Sequence, residues 1–380
     1  MNIVVAHHGP LMTGRAYDSV LFRQCHALAG SGHHVTFFFG RTTRDEGELY
    51  RYYGRERVAG LELVQLPMLR RRSRPRISWN AIFYWSCRRA LGERVRRGEV
   101  DVLYTRGVRL TAYLMRRLGS ACPPVVFEIH NIADPEPASP NARLSETERF
   151  VFGRAAGLLS TTDTLGRIVQ RLGGLEDVPV KIPHAADAVG ETSLRPETKR
   201  RNVTYVGQMY PLQGVEVVLE GLRRLTDCDL HLVGGSKEDI ERLRGGAGKL
   251  EVGGRVVFHG HVAPAEVAGF MRRAEVLVLP SRDAGRMGVV AHTKLYEYLA
   301  AGRPIVAVDL PSIAEELTDG VDAVLVRPDD GEAFGAGIRR VLDDYELAGR
   351  LAQEARRKGA GFTWEARPQR LLEVFRRVVR

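Results

Sequence analysis

An α/β protein of two doubly wound parallel sheets is predicted for this chain of 380 residues. Three observations predict it. Short apolar runs alternate with amphipathic segments from end to end, as in parallel strands joined by crossover helices. The series runs twice, interrupted at 177–201 by a polar, proline-bearing stretch, DVPVKIPHAADAVGETSLRPETKRR, that reads as a linker. The length also suits two ordinary domains better than one core.

The first series offers strands at Ile3–Ala6, Val35–Phe39, Leu61–Gln65, Val102–Tyr104, Val125–Ile129 and Gly157–Ser160, with a helical pattern at Ser19–Gly30. The second offers Asn202–Val206, Asp229–Val233, Val256–His259, Val276–Leu279, Ile305–Val308 and Ala323–Val326, with helical patterns at Val215–Leu225, Pro264–Arg273 and Lys294–Ala301. The predicted division is a first Rossmann-like domain at 1–183, a second at 184–362, and a helix at 363–380 that returns to the first. Strand ends of both domains are expected to face one cleft, where ligands of such sheets bind.

Hydrophobic content of 44% and charged content of 27% are those of a globular protein, and no apolar run reaches the length of a membrane span. The start, MNIVVAHHGP, has no basic leader and enters a strand at once, so a cytoplasmic protein is expected. The four cysteines, Cys25, Cys87, Cys122 and Cys228, are scattered without a CxxC pair and read as reduced thiols. The net charge of +10 is concentrated: 70–97 holds ten Arg against Glu93 alone. Ile77, Trp79, Ile82, Phe83, Tyr84 and Trp85 interleave with those arginines. Two readings stay open for this patch: contact with an anionic membrane surface, or a helix that buries its aromatics and exposes its arginines. No nucleic-acid motif accompanies it, so no nucleic-acid partner is expected.

The richest stretch is HTKLYEYLAAGRPIVAV at 292–308. A loop ends at Thr293, a helix carries Lys294 and Glu297, and an apolar strand follows Gly302. A helix N-terminus, a cation and a carboxylate thus meet at the mouth of a parallel sheet, a corner suited to a phosphate and a ribose hydroxyl. The chain has only six Lys, which makes Lys294 a conspicuous choice. No metal-ligand spacing, nucleophile elbow or P-loop is found, and no metal or bound cofactor is expected.

Several segments, in order, resemble the GT-B glycosyltransferases, most closely the retaining family 4. They are LFRQCHALAGSGHHVTFFF at 21–39, FEIHN at 127–131, KIPHAAD at 181–187, VTYVGQMYPLQGVEVVLEGL at 203–222, VVFHGHVAPAEVAGFMRRAEVLVLPS at 256–281, KLYEYLAAGRPIVAV at 294–308, PSIAEELTDGVDAVLVRPDD at 311–330 and FTWEARPQRL at 362–371. The resemblance covers nearly the whole chain. It implies the GT-B fold and a metal-independent, retaining transfer of a sugar from a nucleotide-diphosphate donor of UDP or GDP type. The acceptor hydroxyl would be lipid-linked, polysaccharide or natural-product. Peripheral attachment to the inner face of the membrane, as family members with lipid acceptors show, is implied through 70–97.

The resemblance also assigns roles. His130 would lie by the transferred sugar, Lys294 at the donor phosphates with the backbone of Thr293, and Glu297 at the ribose. Gly207 would let the diphosphate approach. Thr13-Gly14-Arg15 matches the Gly-Gly region, with Arg15 directed at the diphosphate or an anionic acceptor. Arg282, Arg286, Asp283 and His292 are further candidates on the 280–297 loop. Arg106 is a candidate for facing the acceptor, and Glu128 either an acceptor-side base or a buried partner of an arginine. There are departures. The usual Arg and Lys of the loop after the second domain's first strand are Gln208 and Gln213, and the first Glu of a Glu-x7-Glu pair is Val289. They motivate a rival reading: a GT-B binding or partner subunit with weak or no catalysis. A sugar-nucleotide epimerase of the same fold is a third.

Overall fold

The computed structural model describes residues 1–14, 16–43, 45–68, 79–190 and 200–379. The chain divides into one unit of 1–183 with 364–380 and a second of 184–363.

In the first unit, β1 (Asn2–Pro10), β2 (His34–Gly40), β3 (Leu61–Leu66), β4 (Val102–Thr105), β5 (Val125–Ile129), β6 (Gly157–Ser160) and β7 (Val180–Lys181) form one sheet in the order 3-2-1-4-5-6-7. Its pairings are parallel. A parallel sheet must be covered on both faces, and alternate residues of β1 show how. Ile3 and Val5 join a core with Phe22, Leu28 and Phe375. Val4 and Ala6 join another with Phe83, Leu91 and Leu114. The helix Arg367–Val378 belongs to the first of these, through Leu371, Leu372, Val374 and Phe375, all buried.

In the second unit, β8 (Arg201–Val206), β9 (Cys228–Val233), β10 (Val256–Gly260), β11 (Val276–Leu279), β12 (Ile305–Val308) and β13 (Val324–Val326) form a sheet in the order 10-9-8-11-12-13, again with parallel pairings. Each sheet therefore reverses its winding once, between β1 and β4 and between β8 and β11. At such a point the connections leave to opposite sides, and a crevice opens at the C-terminal strand ends. In the second unit the opening is visible in the hydrogen bonds. β8 and β11 pair only through Val203–Val276 and Thr204–Leu277. Beyond that the Tyr298 hydroxyl fills in, accepting from Val206 N at 3.0 Å and donating to Val278 O at 3.3 Å. Tyr298 lies on the helix Thr293–Ala301, so this contact fixes that helix over the crevice.

The linker expectation needs correction at its N-terminal end. Val180–Lys181 is a strand on β6, followed by Ile182 N donating to Ser160 O at 2.8 Å. Two residues are too few to show an alternating pattern, so the prolines dominate the sequence signal. Residues 191–199 of that stretch lie outside the described residues.

Candidate active site

In the second unit the loops leaving β8 and β11 are tied together. Arg282 N donates to Leu212 O at 3.0 Å. Gly214, at φ +69°, packs so closely that a Cβ there would stand 2.0 Å from Pro280 O. Gly207 leaves β8 at φ +134°, a conformation side chains rarely adopt, and its missing Cβ would sit 3.0 Å from Lys294 Cε. Glycine here gives Lys294 its place.

Lys294 is on the first turn of the helix Thr293–Ala301 and is buried. Its ammonium donates to the Tyr205 hydroxyl at 2.7 Å and to Gln213 Oε1. Tyr205 in turn donates to Gln208 O, and Gln213 Nε2 to the Tyr210 hydroxyl at 2.6 Å. Both acceptors of the ammonium are neutral. Burial therefore pulls the Lys294 pKa down to about 7, with Glu297 one helical turn on acting in the opposite sense. Gln213, read from the sequence as a lost cation, thus meets a cation delivered from another element. Tyr205, in the apolar-looking run VTYV, was not expected to take part.

The other candidates of this unit are placed as follows. Glu297 is half-buried. The His292 ring sits 3.0 Å from Met287 O through Nε2 and 3.2 Å from Ser281 Oγ through Nδ1. Burial, then the neighbouring Lys294, lowers its pKa to about 4. A neutral ring with both nitrogens used within the protein braces the loop, which corrects the expectation of a donor contact from this side chain. Arg282 pairs with Asp329 at 2.8 Å. Arg286 and Asp283 are exposed, and Val289 is buried.

In the first unit a buried ionic cluster sits at the strand ends next to the reversal point. Glu128, on β5 and without exposure, has its Oε1 3.2 Å from Arg106 Nη2, 2.9 Å from Arg367 Nη2 and 2.8 Å from His130 Nε2, while Oε2 accepts from the Tyr104 hydroxyl. Gln24 Oε1 accepts from Arg106 at 2.8 Å and also from Arg367. Burial alone would raise the Glu128 carboxyl, but Arg106 and Arg367 hold it well below the usual carboxylate range. Burial and Arg106 lower the His130 imidazole, against the pull of Glu128. Of the two readings of Glu128, the structure gives the arginine partner. Arg106 is corrected: its side chain is 1% exposed and serves Glu128 instead of facing outward. Its signal in the sequence, an Arg just past a strand end, does not tell inward from outward.

His130 is 20% exposed, with its ring edge-on to Tyr17 at 5.9 Å. Thr13 Oγ1 donates to Asp18, and Gly14 takes φ +74°. Arg15 lies outside the described residues, as do residues 69–78 of the basic patch. From Trp79 to Arg96 the patch is a helix that buries Phe83, Cys87 and Leu91 and exposes Trp85, with the Arg89 guanidinium 5.8 Å from the Trp85 ring. Among the described residues no helix is long and apolar enough to cross a membrane.

Comparison with known proteins gives a consistent picture. The family described as "Glycosyl transferase 4-like domain" matches residues 18–183, and "Glycosyl transferases group 1" matches 200–344. The alpha-D-kanosaminyltransferase of Streptomyces kanamyceticus is 27% identical over 271 residues, 64% of this chain and 67% of that protein. The phosphatidyl-myo-inositol mannosyltransferase of Mycolicibacterium smegmatis is 27% identical over 299 residues, 74% of this chain and 72% of that one. Among solved structures, Anabaena HepE in complex with UDP-glucose superposes with a TM-score of 0.75 at 14% identity, covering 99% of each chain, a likeness of fold. With two parallel-sheet units of this kind and both halves matched in order, the chain belongs to the GT-B glycosyltransferases of family 4, the glycosyl transferases group 1.

Proposed function

We propose that this glycosyltransferase moves a sugar from a nucleotide-diphosphate donor of UDP or GDP type to an acceptor hydroxyl, with retention at the anomeric carbon. The observation that carries the reading is Lys294: an ammonium buried at the reversal point of the second sheet and hydrogen-bonded to two neutral oxygens. A donor diphosphate supplies the negative charge that this ammonium lacks. The N-terminus of the helix Thr293–Ala301 adds backbone N–H groups, and Gly207 allows close approach. In this reading Lys294 stabilises the departing diphosphate, Glu297 accepts from the ribose hydroxyls, and His130 serves the transferred sugar. The bond from the anomeric carbon to the diphosphate oxygen breaks, the acceptor oxygen bonds to that carbon, and the acceptor proton passes to the leaving diphosphate. The UDP-glucose complex of the HepE neighbour supports a nucleotide-sugar donor. With Lys294 in the charge-neutralising part, turnover is expected to survive EDTA.

The test is a transfer and hydrolysis assay across UDP-, GDP- and dTDP-sugars, with the anomeric configuration of the product read by NMR. Turnover that Lys294→Ala lowers steeply and a donor KM that Glu297→Ala raises about tenfold support the reading. A folded protein that binds no sugar nucleotide at millimolar concentration contradicts it and favours the rival, a partner subunit.

A second reading concerns location. Exposed Trp85 beside Arg89 on a basic helix supports attachment to an anionic membrane surface, on the inner face for a cytoplasmic protein and a lipid-linked acceptor. Salt-sensitive recruitment to anionic vesicles is expected. Vesicles that fail to recruit the protein at low ionic strength rule it out.

A further inference from the structure

We propose that Arg367, on the helix that returns to the first unit, is a positioning residue for the transfer reaction: through Glu128 it sets which nitrogen of His130 carries the proton and where the ring points. The proposal rests on the reading that His130 serves the transferred sugar.

The His130 Nε2 stands 2.8 Å from Glu128 Oε1, an ion-pair contact in which the carboxylate favours a proton on that nitrogen over Nδ1. The aim of the imidazole therefore follows the aim of Glu128. Arg367 Nη2 reaches the same Oε1 at 2.9 Å, closer than Arg106 at 3.2 Å. Arg367 is itself held at two further places. Its Nε donates to Pro183 O at 2.9 Å, and its Nη1 to Gln24 Oε1. Pro183 is the last residue before the chain crosses into the second unit, and Trp364, three residues before Arg367, is the first after it returns. The two crossings of the chain are thereby joined to the sugar-side histidine by one guanidinium and one carboxylate.

A buried ion pair is a poor source of stability compared with an apolar pair of the same size. A hydrogen bond from Arg367 to an oxygen that Arg106 and His130 also approach is a good way to hold a direction. That is the ground for reading Arg367 as a positioning group. The charged and titratable groups around His130 are Glu128 on its own strand, Arg106 after β4, Tyr17 on the helix Ala16–Gly30 with His7 and Asp18 behind it, and Arg367. Of these, Arg106 and Arg367 disfavour the imidazolium and Glu128 favours it.

The test uses the full chain with ¹⁵N-labelled histidine, His130 being assigned by His130→Gln. In wild type the neutral ring should show the Nε2–H tautomer. In Arg367→Gln the loss of a cation should move the His130 titration to higher pH. The acidic limb of kcat should move with it, and kcat should fall about 10–100-fold while the donor KM changes little. Arg367→Lys keeps the charge but loses the fork, so it should restore the midpoint and only part of kcat. A folded Arg367→Gln whose His130 titration and acidic limb match wild type overturns the proposal, as does a kcat loss that merely follows the unfolded fraction. If Arg367→Gln does not fold, Arg367→Lys decides: wild-type kcat overturns the proposal, and a lowered kcat at an unmoved midpoint supports it. A shifted midpoint in a protein whose wild type transfers no sugar supports the Arg367–His130 tie and refutes the transferase reading.

Discussion

The two units both bury cations at their strand ends, and they satisfy them in opposite ways. In the first unit Arg106 and Arg367 share the carboxylate of Glu128, and both also donate to Gln24 Oε1. In the second unit Lys294 meets a phenol and an amide. The first arrangement is closed: its ionic partner is built into the fold, and its effect is to aim His130. In the second the hydrogen-bonded oxygens are neutral, so burial lowers the Lys294 pKa to about 7 against the pull of Glu297, and the proposed donor anion adds the missing charge. In the proposed function the paired arginines serve the structure, and Lys294 serves the donor.

Removing the built-in partner should have the largest effect. Glu128→Ala leaves two buried guanidinium groups without their carboxylate and should destabilise the first unit by about 3–5 kcal/mol, read by urea unfolding. A change under about 1 kcal/mol would mean that water or Gln24 replaces the carboxylate, and the contrast between the units would weaken.

Lys294→Met should behave in the opposite manner. Donor binding should weaken about 100-fold, the order of one or two hydrogen bonds to a charged group. The ligand-free protein should melt higher than wild type, and by more at pH 6 than at pH 9. The sign follows from linkage. The folded pKa of about 7 lies below the unfolded value of about 10.4. Between them the unfolded chain binds more protons, so the Lys294 contribution to wild-type stability increases with pH. Below pH 7 the folded protein carries the full cost of a buried charge, which Met removes. A Lys294→Met protein that melts lower than wild type at pH 6 would mark Lys294 as a structural group like the arginines.

Glu297→Ala should have the smallest effect, about tenfold in donor KM with little change in melting temperature, because Glu297 is half-buried and takes its value from the ligand. A large loss of stability would place it with Glu128 instead.

The sequence carried the fold well for a specific reason. Strands buried on both faces tend to read as short apolar runs, and every strand from β1 to β13 except β7 overlaps a run of mainly apolar residues in the sequence. It carried the Lys294 corner because loop, helix start and strand are contiguous there. It carried the partners poorly. Tyr205 and Gln213 lie 89 and 81 residues from Lys294, and Arg367 lies 239 from Glu128 and 343 from Gln24. No local periodicity encodes such meetings. Tyr205 looks like core, and Arg106 looks like a surface charge until Glu128 is seen beside it. His292 is a candidate by its place on the 280–297 loop, yet its ring bonds within that loop.

The proposed transfer turns on Lys294 as the cation of the donor diphosphate. The most direct measurement is calorimetry with UDP- and GDP-sugars, whose diphosphates do not titrate near neutrality, at pH 8 in buffers of different ionisation enthalpy. Binding by wild type should take up close to one proton, since a bound diphosphate returns Lys294 to the ammonium form, and Lys294→Met should take up none and bind about 100-fold more weakly. Wild-type binding without proton uptake, together with equal affinity in Lys294→Met, would contradict the account.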